Sequence, residues 1–191
     1  MGRSGSGKGT QAKLLEQYIK EQDAEKHPFF YVETGARFRH FIEGDKLSNK
    51  LAFKILNDGG RQPDFLAIWI WAHVFLENMT GREHLIIDGT PRSHREAAIL
   101  DTAMKFYGRE KPFVIHIKVS REASMGRMVA RGRSDDNTNA IQNRMDWYDK
   151  DVLPALTFFQ DNDGYNVIEV NGEQSVEEVS KEMFAKIKEL S

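Results

Sequence analysis

The apolar residues of this 191-residue chain follow two patterns, one with the period of a helix and one made of short continuous runs. Residues 8–22 have apolar positions spaced for a helix with one buried face. The continuous runs cover residues 29–32, 85–87, 113–119 and 167–170. Because segments of helical period separate these runs, we expect a parallel β-sheet with helices on both faces, a three-layer α/β/α fold.

The segment between the first two runs is predicted to be helical and interrupted. Asn57-Asp58-Gly59-Gly60 breaks it into short helices, and Asp64 is suited to cap a longer helix that runs to about Asn78. In the longer helix Trp69 and Trp71 point to opposite sides, and most other residues are apolar. A helix of this kind is either buried within one domain or shared with a second copy in a homo-oligomer, and both alternatives stay open.

Composition limits the partners of the chain. A length of 191 residues suits one domain, residues 1–191, with one hydrophobic core. The chain has 27 Lys plus Arg against 29 Asp plus Glu, which argues against nucleic-acid and membrane-surface partners and requires any anionic ligand to be held locally. It has no cysteine and no apolar run of about 20 residues, so we expect a cytoplasmic protein.

The first ten residues, MGRSGSGKGT, have the pattern of a phosphate-binding loop. Glycines let successive backbone N–H groups curl around phosphate oxygens, and Lys8 adds a cation at the outer phosphates. Gly9 separates Lys8 from Thr10, whereas the usual pattern has Ser or Thr directly after the lysine. The helix predicted to follow supports a binding role over a purely structural glycine turn.

Two further groups of residues carry charge suited to a phosphate ligand. Asp88 follows a short apolar run, where a carboxylate suits Mg²⁺ held through water, and Pro91 fixes a turn that aims Arg92. Alone, such a turn is more often only a turn. The second group is a series of arginines. These arginines could form a charged face exposed to solvent, or their guanidinium groups could surround a polyphosphate. The phosphate loop favours the polyphosphate explanation. The series is Arg127, Arg131, Arg133 and Arg144.

Together these motifs resemble the adenylate kinase family of nucleoside monophosphate kinases. The match runs from Gly2 to about Gln174, and it adds Thr34-Gly35 followed by Arg39, an Arg131-Gly132-Arg133 string and a closing Val170-Asn171-Gly172. The resemblance implies phosphoryl transfer from magnesium ATP to a monophosphate, giving two diphosphates. It also implies a sheet of strand order 2-3-1-4-5, a helical monophosphate-binding insertion at approximately 34–64, and a lid over ATP.

The resemblance also implies roles for individual residues. Lys8, Arg92, Arg131, Arg133 and Arg144 would be catalytic. Magnesium would be held by Asp88 through water, with Thr10 as a second candidate. The ATP-binding set would be Gly5, Ser6, Gly7, Lys8, Gly9, Thr10, Arg127, Arg131, Gly172 and Gln174. The monophosphate-binding set would be Thr34, Gly35, Arg39, Gly60, Arg61, Gln62, Gly89, Arg92, Glu96, Arg133 and Arg144.

Three departures from the family pattern affect these expectations. Only Gly132 separates Arg131 from Arg133, so we expect a vestigial lid at approximately 131–136 and water exclusion from another source, such as a neighbouring subunit. Glu96 stands where adenylate kinases have glutamine, and a carboxylate that only accepts hydrogen bonds favours guanine. The apolar strand expected before the loop, the central strand of the family sheet, does not precede Gly2 in this sequence.

The leading hypothesis is therefore an adenylate kinase that converts Mg-ATP and AMP into two ADP by direct in-line transfer. One alternative is a kinase that prefers GMP, UMP or CMP. The other is a nucleotide-binding module or slow ATPase that lacks efficient transfer. For the missing strand, we expect either that a few upstream residues were lost when the start codon was chosen or that packing elsewhere compensates.

Overall fold

The strands form two separate parallel pairs. The computed structural model describes residues 1–133 and 135–190; Ser134, which falls in the expected lid segment, and Ser191 lie outside the described residues. β1 pairs with β2 from Phe29↔His84 to Glu33↔Asp88, and β3 pairs with β4 from Phe113↔Asn166 to Lys118↔Asn171. The strands are β1 Phe29–Glu33, β2 His84–Asp88, β3 Phe113–Lys118 and β4 Asn166–Asn171.

The helices lie between and after these strands, in the alternation that the sequence predicts. The bounds predicted for the first helix are confirmed. The fourth helix covers the expected residues, but the predicted cap is wrong: Pro63 occupies the N-cap position, and Asp64 is the first helical residue. A π-helical turn, Tyr148–Val152, joins α7 to α8. The helices are α1 Lys8–Gln22, α2 Thr34–Phe41, α3 Leu47–Asn57, α4 Asp64–Asn78, α5 His94–Phe106, α6 Arg121–Arg131, α7 Thr138–Trp147, α8 Leu153–Gln160 and α9 Val176–Leu190.

Two hydrophobic clusters cover the two faces of the strands, which confirms the three-layer α/β/α class. On β4, Ile168 and Val170 pack with α1 and α9. Val167, the residue before Ile168, faces the other cluster, which contains side chains of α4, α5 and α8. This alternation is the period of two that a strand imposes, and helices on both sides bury both of its faces.

An apolar cavity of about 670 Å³ is lined by the facing strands β2 and β3 and by helix side chains including Leu15 and Leu100. It corresponds to the place of the strand that the family pattern puts between these two. Met1 lies at one end of this cavity, beside β3. The Met1 amino group donates to the Ile115 carbonyl, and the Met1 carbonyl accepts from the Ile117 N–H at 3.0 Å. Burial, with nearby Lys8, lowers the pKa of this amino group to about 5.

Helix α4 buries one side and exposes the other. Trp71 is 1% exposed and packs in the main cluster, whereas Trp69 is 48% exposed and lies 5.8 Å from the Phe41 ring, centroid to centroid. Phe65 and Leu76 are also exposed, so the apolar surface of α4 extends beyond the core of one domain. Within the described residues, no helix has both the length and the apolar character that a membrane crossing requires.

Candidate active site

The N-terminal loop is a tight turn that leads directly into α1. Gly5 and Gly7 have φ of 82° and 89°, and Gly7 caps the helix in the left-handed conformation that glycine tolerates best. A Cβ on Gly5 would lie 2.8 Å from the Ser124 carbonyl oxygen of α6, so this position also needs glycine for close approach. The first backbone N–H groups of α1 have no helical partner and form a site for an anion.

The Lys8 ammonium lies inside the curve of this loop. It donates hydrogen bonds to the carbonyls of Gly2 at 2.9 Å and Arg3 at 2.7 Å. Burial lowers the pKa of Lys8 to about 8, although the nearby Asp88 carboxylate opposes the shift. A phosphate at the loop would supply the negative charge that this desolvated cation lacks.

Asp88 lies at the carboxyl end of β2 and faces the loop. Its Oδ2 accepts a hydrogen bond of 3.1 Å from the Tyr31 hydroxyl and lies 3.7 Å from the place of a Cβ on Gly9. The Thr34 hydroxyl donates to the Asp88 backbone carbonyl at 3.1 Å and so joins the ends of β1 and β2. Burial and the Asp88 charge raise the pKa of Tyr31, so the hydroxyl stays a donor to the carboxylate.

The arginines of α6 and α7 are held by two carboxylates in the short link between these helices. Asp136 accepts from Arg131 Nε at 2.6 Å and Nη2 at 3.0 Å, and from Arg144 Nη1 at 2.7 Å. Asp135 pairs with Arg144; burial raises the Asp135 pKa, but the hydrogen bond and charge of Arg144 outweigh burial and lower it. In the described part of this link, the guanidiniums are therefore positioned before any ligand binds.

The remaining arginines come from other elements. Arg39 on α2 donates to Glu33 Oε1 at 2.9 Å, and Arg92 donates through Nε to the Gly89 carbonyl at 2.6 Å. The guanidinium of Arg92 lies 5.4 Å from the centre of the Trp147 ring. Burial lowers the pKa of Arg133, and the neighbouring Arg131 and Arg39 lower it further, which is a sign of concentrated positive charge.

These elements enclose one cleft of about 810 Å³ at the carboxyl ends of β1 and β2. Among the described residues, eight cationic side chains line it against three carboxylates, although the whole chain carries a formal net charge of −2. The cleft is therefore a local anion site in a nearly neutral protein. Its cations are Lys8, Lys13, Arg39, Arg92, Arg127, Arg131, Arg133 and Arg144, and its carboxylates are Glu33, Asp88 and Asp135.

Most residues expected from the sequence line this cleft, including Gly5, Gly7, Gly9, Thr10, Gly35, Gly60, Gln62 and Gly89. Several others do not. Thr34 is buried at the strand end, and Ser6 is buried within the loop. Arg61 pairs with Asp64 at 2.5 Å. Gly172 packs against β3, and its backbone N–H donates a 2.8 Å hydrogen bond to the Lys118 carbonyl. The Gln174 side chain donates a 2.7 Å hydrogen bond to Glu182.

Glu96 is fully buried, and its carboxylate does not line the cleft. It accepts from the Thr90 hydroxyl at 2.6 Å, the Arg92 backbone N–H at 2.6 Å and the Trp71 indole at 3.2 Å. These three donors satisfy a buried carboxylate without any ligand. In this structure Glu96 supports the turn that positions Arg92.

Sequence reasoning did not identify several cleft residues, among them Tyr31, Lys13, Phe38, Leu56 and Trp147. Trp147 had a detectable signal, since it lies three residues after Arg144 and a helix places two residues at this spacing on one face. The sequence contains no comparable signal for Tyr31, because the direction of its side chain depends on how the strands pair.

The segment that follows α3 is hydrogen-bonded to α7 at one side of the cleft. Trp147 Nε1 donates to the Gly59 carbonyl at 2.9 Å, and Asn143 Nδ2 donates to the Asp58 carbonyl at 2.7 Å. A Cβ on Gly59 would lie 2.3 Å from the Ala140 Cα, and the φ of Gly59 is 68°. Glycine is required at this contact for both reasons.

The fold and the cleft together define a phosphate-loop nucleotide phosphotransferase. The family model described as adenylate kinase matches residues 1–164. The chain is 30% identical over 193 residues to the adenylate kinase of Azobacteroides pseudotrichonymphae genomovar. CFP2, with 99% of this chain and 95% of the relative covered. It is 31% identical to adenylate kinase 1 of Synechocystis sp., covering 98% and 95%, and 32% identical to the adenylate kinase of Corynebacterium diphtheriae, covering 94% and 92%. The chain belongs to the adenylate kinase family and is an ATP-dependent nucleoside monophosphate kinase.

Proposed function

We propose that this kinase transfers the terminal phosphoryl group of magnesium ATP to AMP, giving two ADP. The observation that carries the proposal is the excess of cationic over acidic side chains around one cleft that also contains the phosphate loop. The triphosphate of ATP and the monophosphate of AMP bring several negative charges into a confined space, and guanidinium and ammonium groups compensate them. A site for a single small anion would not need so many cations from so many elements.

The two substrates approach from opposite ends of the cleft. ATP phosphates lie in the loop between Gly5 and Thr10, near Lys8 and Arg131. The monophosphate lies on the side of α2, where Arg39 and Arg92 meet it. Arg133 and Arg144 lie between the two, around the phosphoryl group in transfer.

The carboxylate of Asp88 and the hydroxyl of Thr10 are the oxygen donors that suit magnesium in this cleft. Mg²⁺ keeps several of its waters and uses few protein carboxylates, which fits a single Asp facing the loop. When bound with ATP, the ion neutralises phosphate charge and positions the phosphates. This assignment rests on donor chemistry and on the placement of Asp88 opposite Gly9.

Catalysis needs no covalent intermediate on the protein. The attacking oxygen of AMP and the leaving oxygen of ADP are held in line, and the cations stabilise the charge on the oxygens of the phosphoryl group in transfer. Lys8 exchanges the loop carbonyls for phosphate oxygens when ATP binds. Asp135 and Asp136 hold Arg144 in place beforehand, so less reorganisation is needed at the transition state.

The preference for AMP is supported by the side of the cleft that the insertion forms. Gln62 Oε1 is a buried acceptor without a hydrogen-bond partner among the described residues, while its Nε2 donates to the Ala52 carbonyl at 2.8 Å. Adenine presents an amino donor where guanine presents a carbonyl acceptor, so this acceptor favours adenine. The buried position of Glu96 also removes the sequence-based reason to expect GMP.

Water exclusion is proposed to come from the contact between the insertion and α7. The link between α6 and α7 is too short for a separate closing domain, yet Gly59 and Trp147 already join the two sides of the cleft. A second copy packed on the exposed face of α4, around Trp69, is the other source considered. A sedimentation experiment that finds only monomers at assay concentration contradicts that second source.

A coupled assay of ADP formation with and without AMP tests the proposal. The wild-type protein should consume ATP much faster with AMP, whereas hydrolysis that ignores AMP would support the slow-ATPase alternative. Lys8→Ala and Arg92→Ala should each lower turnover by about 10²–10³-fold with little loss of fold. Arg121→Ala is the matched control, because Arg121 pairs with Asp146 and Asp149 and does not line the cleft.

A further inference from the structure

A compact group of metal-binding side chains lies at the opposite end of the β1–β2 pair from the cleft. Asp23 ends α1, His27 lies in the loop before β1, and His84 is the first residue of β2. One donor atom from each residue lies within 4.8 Å of the other two. Three separate parts of the backbone therefore place two imidazoles and one carboxylate around a common point.

The distances suit one transition-metal ion. Asp23 Oδ2 lies 3.1 Å from His27 Nδ1 and 3.0 Å from His84 Nε2. A tetrahedral ion with bonds of about 2.0–2.1 Å separates its ligand atoms by roughly 3.3 Å, so small movements make room for it. The two imidazole rings meet edge to face, with centroids 5.6 Å apart, so the two nitrogens approach the oxygen from different directions.

His27 carries a second, independent indication. Its Nδ1 faces Asp23 while its Nε2 lies 3.2 Å from Glu25 Oε2. The neutral ring with its proton on Nε2 would donate to Glu25 alone. With Nε2–H donated to Glu25, the Nδ1 lone pair is available to a metal ion, which is the carboxylate–histidine–metal arrangement that fixes ring orientation in many sites.

The Asp23 carboxylate is also held in a fixed orientation by neighbouring groups. Asp23 accepts backbone hydrogen bonds from His27 N–H at 2.6 Å and Glu25 N–H at 3.1 Å. Its side chain is 11% exposed, whereas those of His27 and His84 are 36% and 35% exposed. An ion can therefore enter from the histidine side, where water can complete its coordination.

We propose that Asp23, His27 and His84 form a binding site for one divalent transition-metal ion, with zinc as the expected occupant. Two imidazoles and a carboxylate match the preferences of zinc and exclude magnesium, which takes oxygen ligands. The bound ion joins the end of α1 to the starts of β1 and β2. It lies at the amino end of β2, and Asp88 of the cleft lies at the carboxyl end, so the site is separate from nucleotide binding.

Titration of the full chain, without an affinity tag or nucleotide, tests the site. Zinc binding is measured by calorimetry, and cobalt binding is measured by the visible absorption of the bound ion. We expect one ion per chain and at least about tenfold weaker binding in His27→Asn and in His84→Asn. His73→Asn is the matched control and should leave affinity unchanged, because His73 lies outside this group: it pairs with Glu77 at 3.4 Å and stacks on the Trp69 ring.

Equal affinity in the wild type and both histidine variants overturns the proposal, as does the absence of one-to-one binding in the wild type. A second measurement avoids dependence on variant folding. In NMR spectra of the wild type, substoichiometric cobalt should first affect amide signals around His27 and His84. Effects that begin instead around His73 or in the nucleotide cleft also overturn the assignment.

Discussion

The indole Nε1 of Trp147 donates a 2.9 Å hydrogen bond to the backbone carbonyl of Gly59 and so attaches the helical insertion to α7. The same ring lies 5.4 Å from the Arg92 guanidinium. One side chain therefore contacts both the segment that contains Gly59 and a cation of the proposed monophosphate site. This relationship explains how a kinase with so short a link between α6 and α7 can shape its cleft before substrates bind.

Replacing this indole should weaken monophosphate binding. In Trp147→Phe the ring beside Arg92 remains but the hydrogen bond to Gly59 is lost, at about 1 kcal/mol, so KM for AMP should rise roughly fivefold. Trp147→Ala should raise it further. Steady-state kinetics at varied AMP measures the effect, and an unchanged KM in Trp147→Ala would show that the contact has no role in binding.

Glu96→Gln separates a structural role from base recognition. A buried amide accepts fewer of the three hydrogen bonds that Glu96 accepts, so the free energy of unfolding should fall by about 1–3 kcal/mol. The ratio of AMP to GMP turnover should stay the same, because the carboxylate does not line the cleft. Denaturant unfolding measures the free energy, and steady-state kinetics with AMP and GMP measures the turnover ratio. A changed ratio would show that Glu96 takes part in base recognition.

ATP affinity should depend on pH through Lys8. Its pKa is about 8 in the empty cleft, lowered mainly by burial, so Lys8 loses its proton as pH rises above this value. Polyphosphate favours the charged form, and ATP binding should therefore take up a proton above pH 8 and weaken as pH increases. Calorimetry in buffers of different ionisation enthalpy measures the uptake. Lys8→Arg, which stays charged, should lose it, and uptake that persists in this variant assigns the proton to another group.

The cavity between β2 and β3 should accept an added strand. Along β2 the backbone N–H groups point alternately to the two sides of the strand. The His84 N–H donates to the Pro28 carbonyl on the β1 side, so the N–H groups of Leu85 and Ile87 point toward the cavity. Five apolar residues fused before Met1 should bury side chains worth about 1.5–3 kcal/mol each, partly offset by ordering the added residues. The melting temperature should rise, and the Leu85 and Ile87 amides should gain protection from hydrogen exchange.

The control for this extension has proline at its centre and cannot complete the ladder. It should give neither effect. Equal melting temperatures for the chain with and without the apolar extension would mean that the cavity does not accept an added strand.

Much of the fold was predictable because local signals agree with the final structure. The spacing of apolar residues predicted α1, the sequence around Asp64 predicted the extent of α4, and the apolar runs predicted the four strands to within one or two residues. The phosphate loop and the arginine series identified most of the cleft, since these motifs depend on short spacings. Their convergence at one edge follows from parallel strands.

The orientation of single side chains was not predictable. Glu96 and Thr34 point into the interior and Arg61 turns toward Asp64, because hydrogen bonds and ion pairs, some local and some between distant segments, compete with a role in the cleft. Tyr31 reaches the cleft only through tertiary packing. The spacing of residues along the sequence does not determine these orientations.

The most direct test of the central claim is a product analysis with ATP and each of AMP, GMP, CMP and UMP as the acceptor. The account predicts that AMP is the fastest acceptor and that two ADP form for every ATP consumed. A marked preference for GMP would contradict the base assignment. Release of inorganic phosphate with no diphosphate formed from any acceptor would contradict the claim of phosphoryl transfer between nucleotides.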